Sequence, residues 1–285
     1  MAVKQDTALS TRTGRMYATS GLAPVTPPAA TGHRSTIAAM VSTETRRDEL
    51  KDVFGQARGC TRCPQLAATR TQVVFGAGNA DADLMFVGEA PGAKEDERGL
   101  PFVGAAGKML EELLAGVGLR RDDVFIANVL KCRPPGNRDP APVEIENCQE
   151  YLFRQVELIQ PKVICTLGNF STKLLRADPT GITRLHGRRE LRVIGTRAVW
   201  LYPIHHPAAA LYTRSLQDTL REDFARLPAL LDEPAPEQPE PEQPEPELEP
   251  VAVAPPDLTE GRPGAQPAGD PGDDDAPGAE QLGLF

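Results

Sequence analysis

The chain has 285 residues, with 40 acidic against 31 basic side chains and a formal net charge of −9. The acidity is local. Residues 232–285 hold fifteen Asp and Glu against one Arg, leaving 25 acidic and 30 basic groups over residues 1–231. That basic body suits a polyanionic partner such as nucleic acid, and no apolar run reaches transmembrane length, so no membrane partner is expected.

Residues 1–45 are rich in Thr, Ala, Ser and Pro without helical or strand periodicity, and are expected to be disordered. They lack the unbroken apolar stretch of a secretory signal, which points to a cytoplasmic protein. Residues 46–231 read as one folded domain. Four apolar runs there are predicted as buried strands: "DLMFVG" at 83–88, "DVFIANVL" at 123–130, "KVICTLG" at 162–168 and "AVWLYPI" at 198–204. Helical patterns separate them. "GAAGKMLEELLAGVGL" puts Met109, Leu110, Leu113, Leu114 and Val117 on one face, and "APVEIENCQEYLFRQVELIQ" opens with Pro142 and stops before Pro161. "FSTKLLRA" and "SLQDTLREDFARLPALL" follow. Strands alternating with helices imply a parallel sheet covered on both faces, with working residues in loops past the strand C-termini.

The five cysteines are Cys60, Cys63, Cys132, Cys148 and Cys165. A C-x2-C pair followed by two later thiols suits zinc or an iron–sulfur cluster equally well. Cys165, mid-strand, reads as a small buried hydrophobe.

Three loops follow predicted strands: "GEAPGAKEDERGLPFVGAAGK", "NVLKCRPPGNRDP" and "HHPAAAL". Together with the cysteines, they resemble the motifs of the iron–sulfur (family 4) uracil-DNA glycosylases, in order and across nearly the whole folded part. The resemblance implies a three-layer α/β/α sandwich around a mainly parallel, four-stranded sheet. It implies a 4Fe-4S cluster on Cys60, Cys63, Cys132 and Cys148. It also implies an enzyme that flips uracil out of DNA and hydrolyses its N-glycosidic bond.

Carried over residue by residue, the resemblance has Phe102 stack on the flipped ring. Asn128 reads the Watson–Crick edge, and His206 donates to uracil O2. Glu89, with the backbone of Gly88 and Ala90, completes the pocket. Ala90 occupies the slot where family-1 relatives carry a water-positioning Asp. A mostly dissociative reaction is therefore expected, with Glu89 assisting electrostatically. His205 is given no catalytic role. Arg133, Arg138, Lys94 and Lys108 are candidate phosphate contacts. The branch that bonds covalently to uracil is excluded by Ala90 and by the lack of a His in "RPPGNRDPAP". Two alternatives stay open: a non-catalytic cluster-bearing DNA binder, and a glycosylase of the same fold for another deaminated base.

Residues 232–280 form an acidic, Pro-rich run that cannot bury enough apolar surface to offset its ordering entropy, and are expected to be an extended linker. Residues 281–285, "QLGLF", resemble the short peptides with which bacterial repair proteins dock on the sliding clamp. Gln281, Leu282, Leu284 and Phe285 are the candidate clamp contacts. The expectation is a cytoplasmic, nucleoid-associated monomer.

Overall fold

The computed structural model describes residues 42–240. The segment of residues 1–41, most of the acidic run and the clamp-like peptide at Gln281–Phe285 lie outside the described residues.

The first described element is α1 (Thr43–Arg58), capped by the Ser42 hydroxyl, which accepts from the Thr45 N–H at 3.1 Å. Helix α2 (Pro64–Thr69) and the short strand β1 (Ala77–Gly78) follow. Next come β2 (Leu84–Gly88), α3 (Ala93–Arg98), α4 (Ala105–Gly116), a 3-10 turn at Arg121–Asp123 and β3 (Phe125–Asn128). Then come α5 (Pro142–Ile159), β4 (Val163–Leu167), α6 (Asn169–Arg176) and α7 (Ile182–Leu185). The antiparallel hairpin β5 (Glu190–Ile194) and β6 (Arg197–Ile204) leads to α8 (Pro207–Ala210), α9 (Arg214–Ala225) and α10 (Leu227–Asp232).

Among the described residues the sheet has six strands, in the order β1-β3-β2-β4-β6-β5. The expected four-stranded sheet is therefore corrected. The central β3, β2, β4 and β6 are parallel, as predicted, but antiparallel strands flank them on both edges and make the sheet mixed. β1 pairs only through Ala77 and Gly78, too short a run to leave a periodic signal. β5 alternates half-buried and exposed residues before the buried Ile194, the pattern of a strand with one wet face rather than a buried run.

Side-chain alternation along the strands divides the core. Leu84, Phe86, Ile126 and Tyr202 meet Leu110, Leu114, Leu220 and Phe224 from α4 and α9 on one face. Met85, Val87, Ile164 and Leu201 meet Leu152, Val156 and Leu175 from α5 and α6 on the other. Cys165 is fully buried in the first of these clusters, as expected of a small hydrophobe.

Order extends beyond the predicted folded segment at both ends. Helix α1 starts at Thr43. After α10 the chain stays attached: Pro234 carbonyl accepts from Trp200 Nε1 at 3.2 Å, and Gln238 bonds both the N–H and the C=O of Ala198. Glu233 also pairs with Arg189, whose guanidinium lies 4.6 Å above the Trp200 ring.

Candidate active site

The parallel strands end at one rim, and the three sequence motifs meet there. Gly88 closes β2 and is in register with Asn128, which closes β3. His206 follows β6 and caps the N-terminus of α8. These ends surround a cavity of about 280 Å³ lined by Glu89, Ala90, Phe102, Asn128 and His206, with Glu95, Pro134, Asn137 and Arg138 among its other walls. Five positions expected from sequence thus line one cavity, and the sixth, Gly88, packs against two of them, Asn128 and Phe102.

Position 88 has room only for glycine. A Cβ on Gly88 would collide with Asn128 Oδ1 and stand 3.0 Å from the Phe102 ring. Asn128 is 2 % exposed. Its carbonyl accepts from Lys131 Nζ at 2.8 Å, while among the described residues its side-chain amide has no hydrogen-bond partner. Lys131, itself buried, also donates to Gln155 Oε1 at 2.6 Å, and so fixes the end of β3 from inside the core.

His206 Nδ1 accepts from the Ala208 N–H at 3.0 Å, which assigns the proton of the neutral ring to Nε2. Burial pulls the imidazole from its ordinary 6.5 down to about 4, so the ring is neutral at physiological pH and carries one free N–H donor. Glu89 is half-buried and its carboxyl is pushed above the usual range, first by desolvation and then by the Asp139 charge. His205 instead meets the ring of His186 at 4.7 Å, and His186 Nδ1 in turn lies 2.9 Å from Asp223 Oδ2.

Phe102 is 6 % exposed and adopts a φ of 53°, a left-handed conformation that an aromatic residue rarely takes. Its peptide neighbours hold it there. Glu95 Oε1 accepts from the N–H groups of Val103 and Gly104, both at 3.0 Å. Arg121 donates to the Phe102 carbonyl at 2.9 Å and also to the Pro101 carbonyl. Neither residue stood out in the sequence. Glu95 lies inside a quoted motif without a local signal of its role, and Arg121 sits 19 residues away from the carbonyl it binds.

The profile of the Uracil DNA glycosylase superfamily matches residues 75–227. The type-4 uracil-DNA glycosylase of Archaeoglobus fulgidus is 46 % identical over 194 residues, covering 66 % of this chain and 96 % of that one. Those of Sulfurisphaera tokodaii and Thermotoga maritima are 44 % and 40 % identical, over 66 % and 65 % of this chain and 87 % and 96 % of theirs. The chain belongs to the uracil-DNA glycosylase superfamily, in its type-4 branch.

The candidate phosphate contacts inside the first two motifs are used unevenly. Lys94 and Lys108 are exposed on α3 and α4. Arg133 bonds Asn137 Oδ1 at 2.7 Å. Arg138 is committed elsewhere: it grips Glu144 through two bonds of 2.9 and 2.6 Å and reaches Gln65 at 3.0 Å. Its guanidinium holds the Glu144 carboxyl below the usual range.

Cys132 and Cys148 are buried in a third apolar cluster, with Cys60 and Cys63 packed at its margin. None forms a disulfide. Three of the sulfurs face nitrogen donors: Cys132 and Arg70 Nη1 at 3.2 Å, Cys148 and the Lys131 N–H at 3.2 Å, Cys63 and Asn147 Nδ2 at 3.7 Å. Among the described residues no three His, Cys, Asp or Glu side chains converge tightly enough for a single metal ion. A cubane cluster holds its ligand sulfurs further apart than one tetrahedral ion does. Burial pushes the thiols of Cys132 and Cys148 up, the latter to about 11, a cost that binding as thiolates to a metal centre removes.

Proposed function

We propose that this chain excises uracil from DNA, leaving an abasic site for repair, and that the cavity at the strand ends is its base pocket. One observation carries the assignment of the pocket. A half-walled cavity offers an aromatic face, an unpartnered amide and a single N–H donor, all held by the ends of three strands or their loops. Uracil matches that set. Asn128 accepts from N3–H and donates to O4, whereas cytosine presents the reverse pattern and leaves both groups unpaired. Phe102 stacks on the ring, and His206 Nε2–H donates to O2.

As the N-glycosidic bond breaks, its electron pair goes to uracil N1 and charge spreads onto O2. A fixed donor at O2 stabilises that charge. Ala90 offers no group to hold a water, so cleavage runs ahead of water attack. The oxocarbenium-like sugar is then trapped at C1′ by water, which loses a proton to solvent while the departing base gains one. Glu89 assists the cationic sugar through its charge. The flipped state is reached most cheaply at a mismatch.

Cys60, Cys63, Cys132 and Cys148 are assigned to a 4Fe-4S cluster, supported by type-4 membership and by the N–H donors around the sulfurs. Bound there, these four sulfurs would tie the segment after α1 to the Cys132–Cys148 region through the cluster, away from bond cleavage. Gln281, Leu282, Leu284 and Phe285 are assigned to a sliding clamp. Deleting them should abolish clamp binding and spare cleavage of short oligonucleotides.

The test is cleavage of a labelled oligonucleotide with one uracil, followed by alkali, for wild type and His206→Ala. Scission by wild type that falls sharply in the variant supports the reading. An intact, cluster-loaded wild type that leaves uracil untouched overturns it in favour of another deaminated base or a non-catalytic binder.

A further inference from the structure

We infer that Arg121 is a positioning residue for the base-stacking ring of Phe102, an inference that rests on the uracil reading above. Four consecutive residues, Pro101 to Gly104, are held from two sides. The Arg121 guanidinium donates to the carbonyls of Pro101 and Phe102, and the Glu95 carboxylate accepts from the N–H groups of Val103 and Gly104. The first turn of α4 closes the third side. A Cβ on Gly107 would occupy the place of the Phe102 carbonyl oxygen, so only glycine lets the helix abut that peptide.

The clamp is what keeps Phe102 at a φ of 53°. Released from it, the residue relaxes toward ordinary negative φ. The ring then leaves its place beside His206 and above Gly88. Arg121 is suited to the task because a planar, permanently charged fork bonds two carbonyls at once, which a lysine does with less definition. It sits just before β3, whose far end carries Asn128. One strand therefore anchors both the face-stacking and the edge-reading groups.

The test is a double-mutant cycle on uracil excision using the full chain, with Phe102→Ala, Arg121→Ala and both together. Melting curves and visible absorbance verify fold and cluster loading. A misplaced stacking group commonly costs one to two orders of magnitude, so Arg121→Ala should lower kcat/KM by about tenfold or more. In the Phe102→Ala background the same change should cost less than about twofold. Inhibition by free uracil should weaken in Arg121→Ala, and Arg121→Lys should recover part of both losses. If Arg121→Ala does not fold, Arg121→Lys and Arg121→Gln take its place in the cycle. Equal losses in both backgrounds, or no loss at all, overturn the inference while wild-type cleavage still stands. A silent Phe102→Ala removes the stacking role and the inference with it. Failure of wild type to cleave uracil refutes the functional reading instead.

Discussion

The rings of Phe102 and His206 lie 5.6 Å apart, centroid to centroid, with their planes 26° from parallel. A base sandwiched between them would need two van der Waals gaps of about 3.5 Å each. The separation is too short for that. A base stacked on Phe102 must therefore turn its edge, not its face, toward His206. In the proposed pocket, that geometry suits the imidazole to donate a hydrogen bond to the base rather than to stack on it.

His206→Ala should then lower the cleavage rate by about 10²–10³-fold, the usual loss for one donor aimed at developing charge. Single-turnover rates and DNA-binding constants measured together check this, since the rate should fall far more than the affinity.

The same histidine should remain neutral in mild acid. Ring-nitrogen NMR shifts should show the Nε2–H form still dominant at pH 6, below the ordinary 6.5 and above the shifted value of about 4. The linkage has a definite sign. The unfolded chain binds this proton more readily than the folded one, so the neutral ring's contribution to stability is complete above 6.5. It is lost as pH falls toward about 4.

Asn128→Asp replaces the amide donor with a second acceptor facing uracil O4. Each buried group left without its partner costs about 1–3 kcal/mol, so excision should drop by one to two orders of magnitude. Competition between uracil- and cytosine-containing strands would reveal the change in preference directly. Unchanged uracil cleavage would remove Asn128 from the pocket.

Anaerobically purified protein should be brown, with four irons per chain by metal analysis. Cys148→Ser should lose colour and iron and melt at lower temperature, because Cys148 is buried where Lys131 joins the end of β3. A colourless preparation carrying zinc would refute the cluster.

Trp200 is the only tryptophan in the chain, and its indole N–H is satisfied by Pro234. Truncation after residue 231 should expose the ring and shift its emission to longer wavelength. Losing that hydrogen bond costs about 0.5–1.5 kcal/mol, and for a domain of this size each kcal/mol lowers Tm by roughly 2–4 °C. Truncation after residue 240 should change neither.

The central sheet was legible because β2, β3, β4 and β6 are continuous apolar runs, buried on both faces. The hairpin partner of β6 was missed although a signal was present. Gly195 and Thr196 separate two strand-like runs, and Gly195 takes the positive φ that such a turn requires. The alternating, half-charged "ELRVI" simply lacks the density of a core strand. The pocket residues were legible through motif order. Arg121 was not, because apart from the Glu111 carboxylate its partners are backbone carbonyls, and a backbone acceptor leaves no mark on the residue that carries it. The tether after α10 was hidden for a similar reason: a proline carbonyl and one glutamine amide hold it inside an acidic run whose composition reads as linker.

Gly88 sets the terms on which this pocket can evolve. One added carbon there would strike the Asn128 side chain and crowd the Phe102 ring at once, so no side chain at that position leaves both in place. Adaptation toward a different base must therefore proceed along the wall, at Asn128 or in the segment that carries Phe102, over an unchanging base of bare peptide.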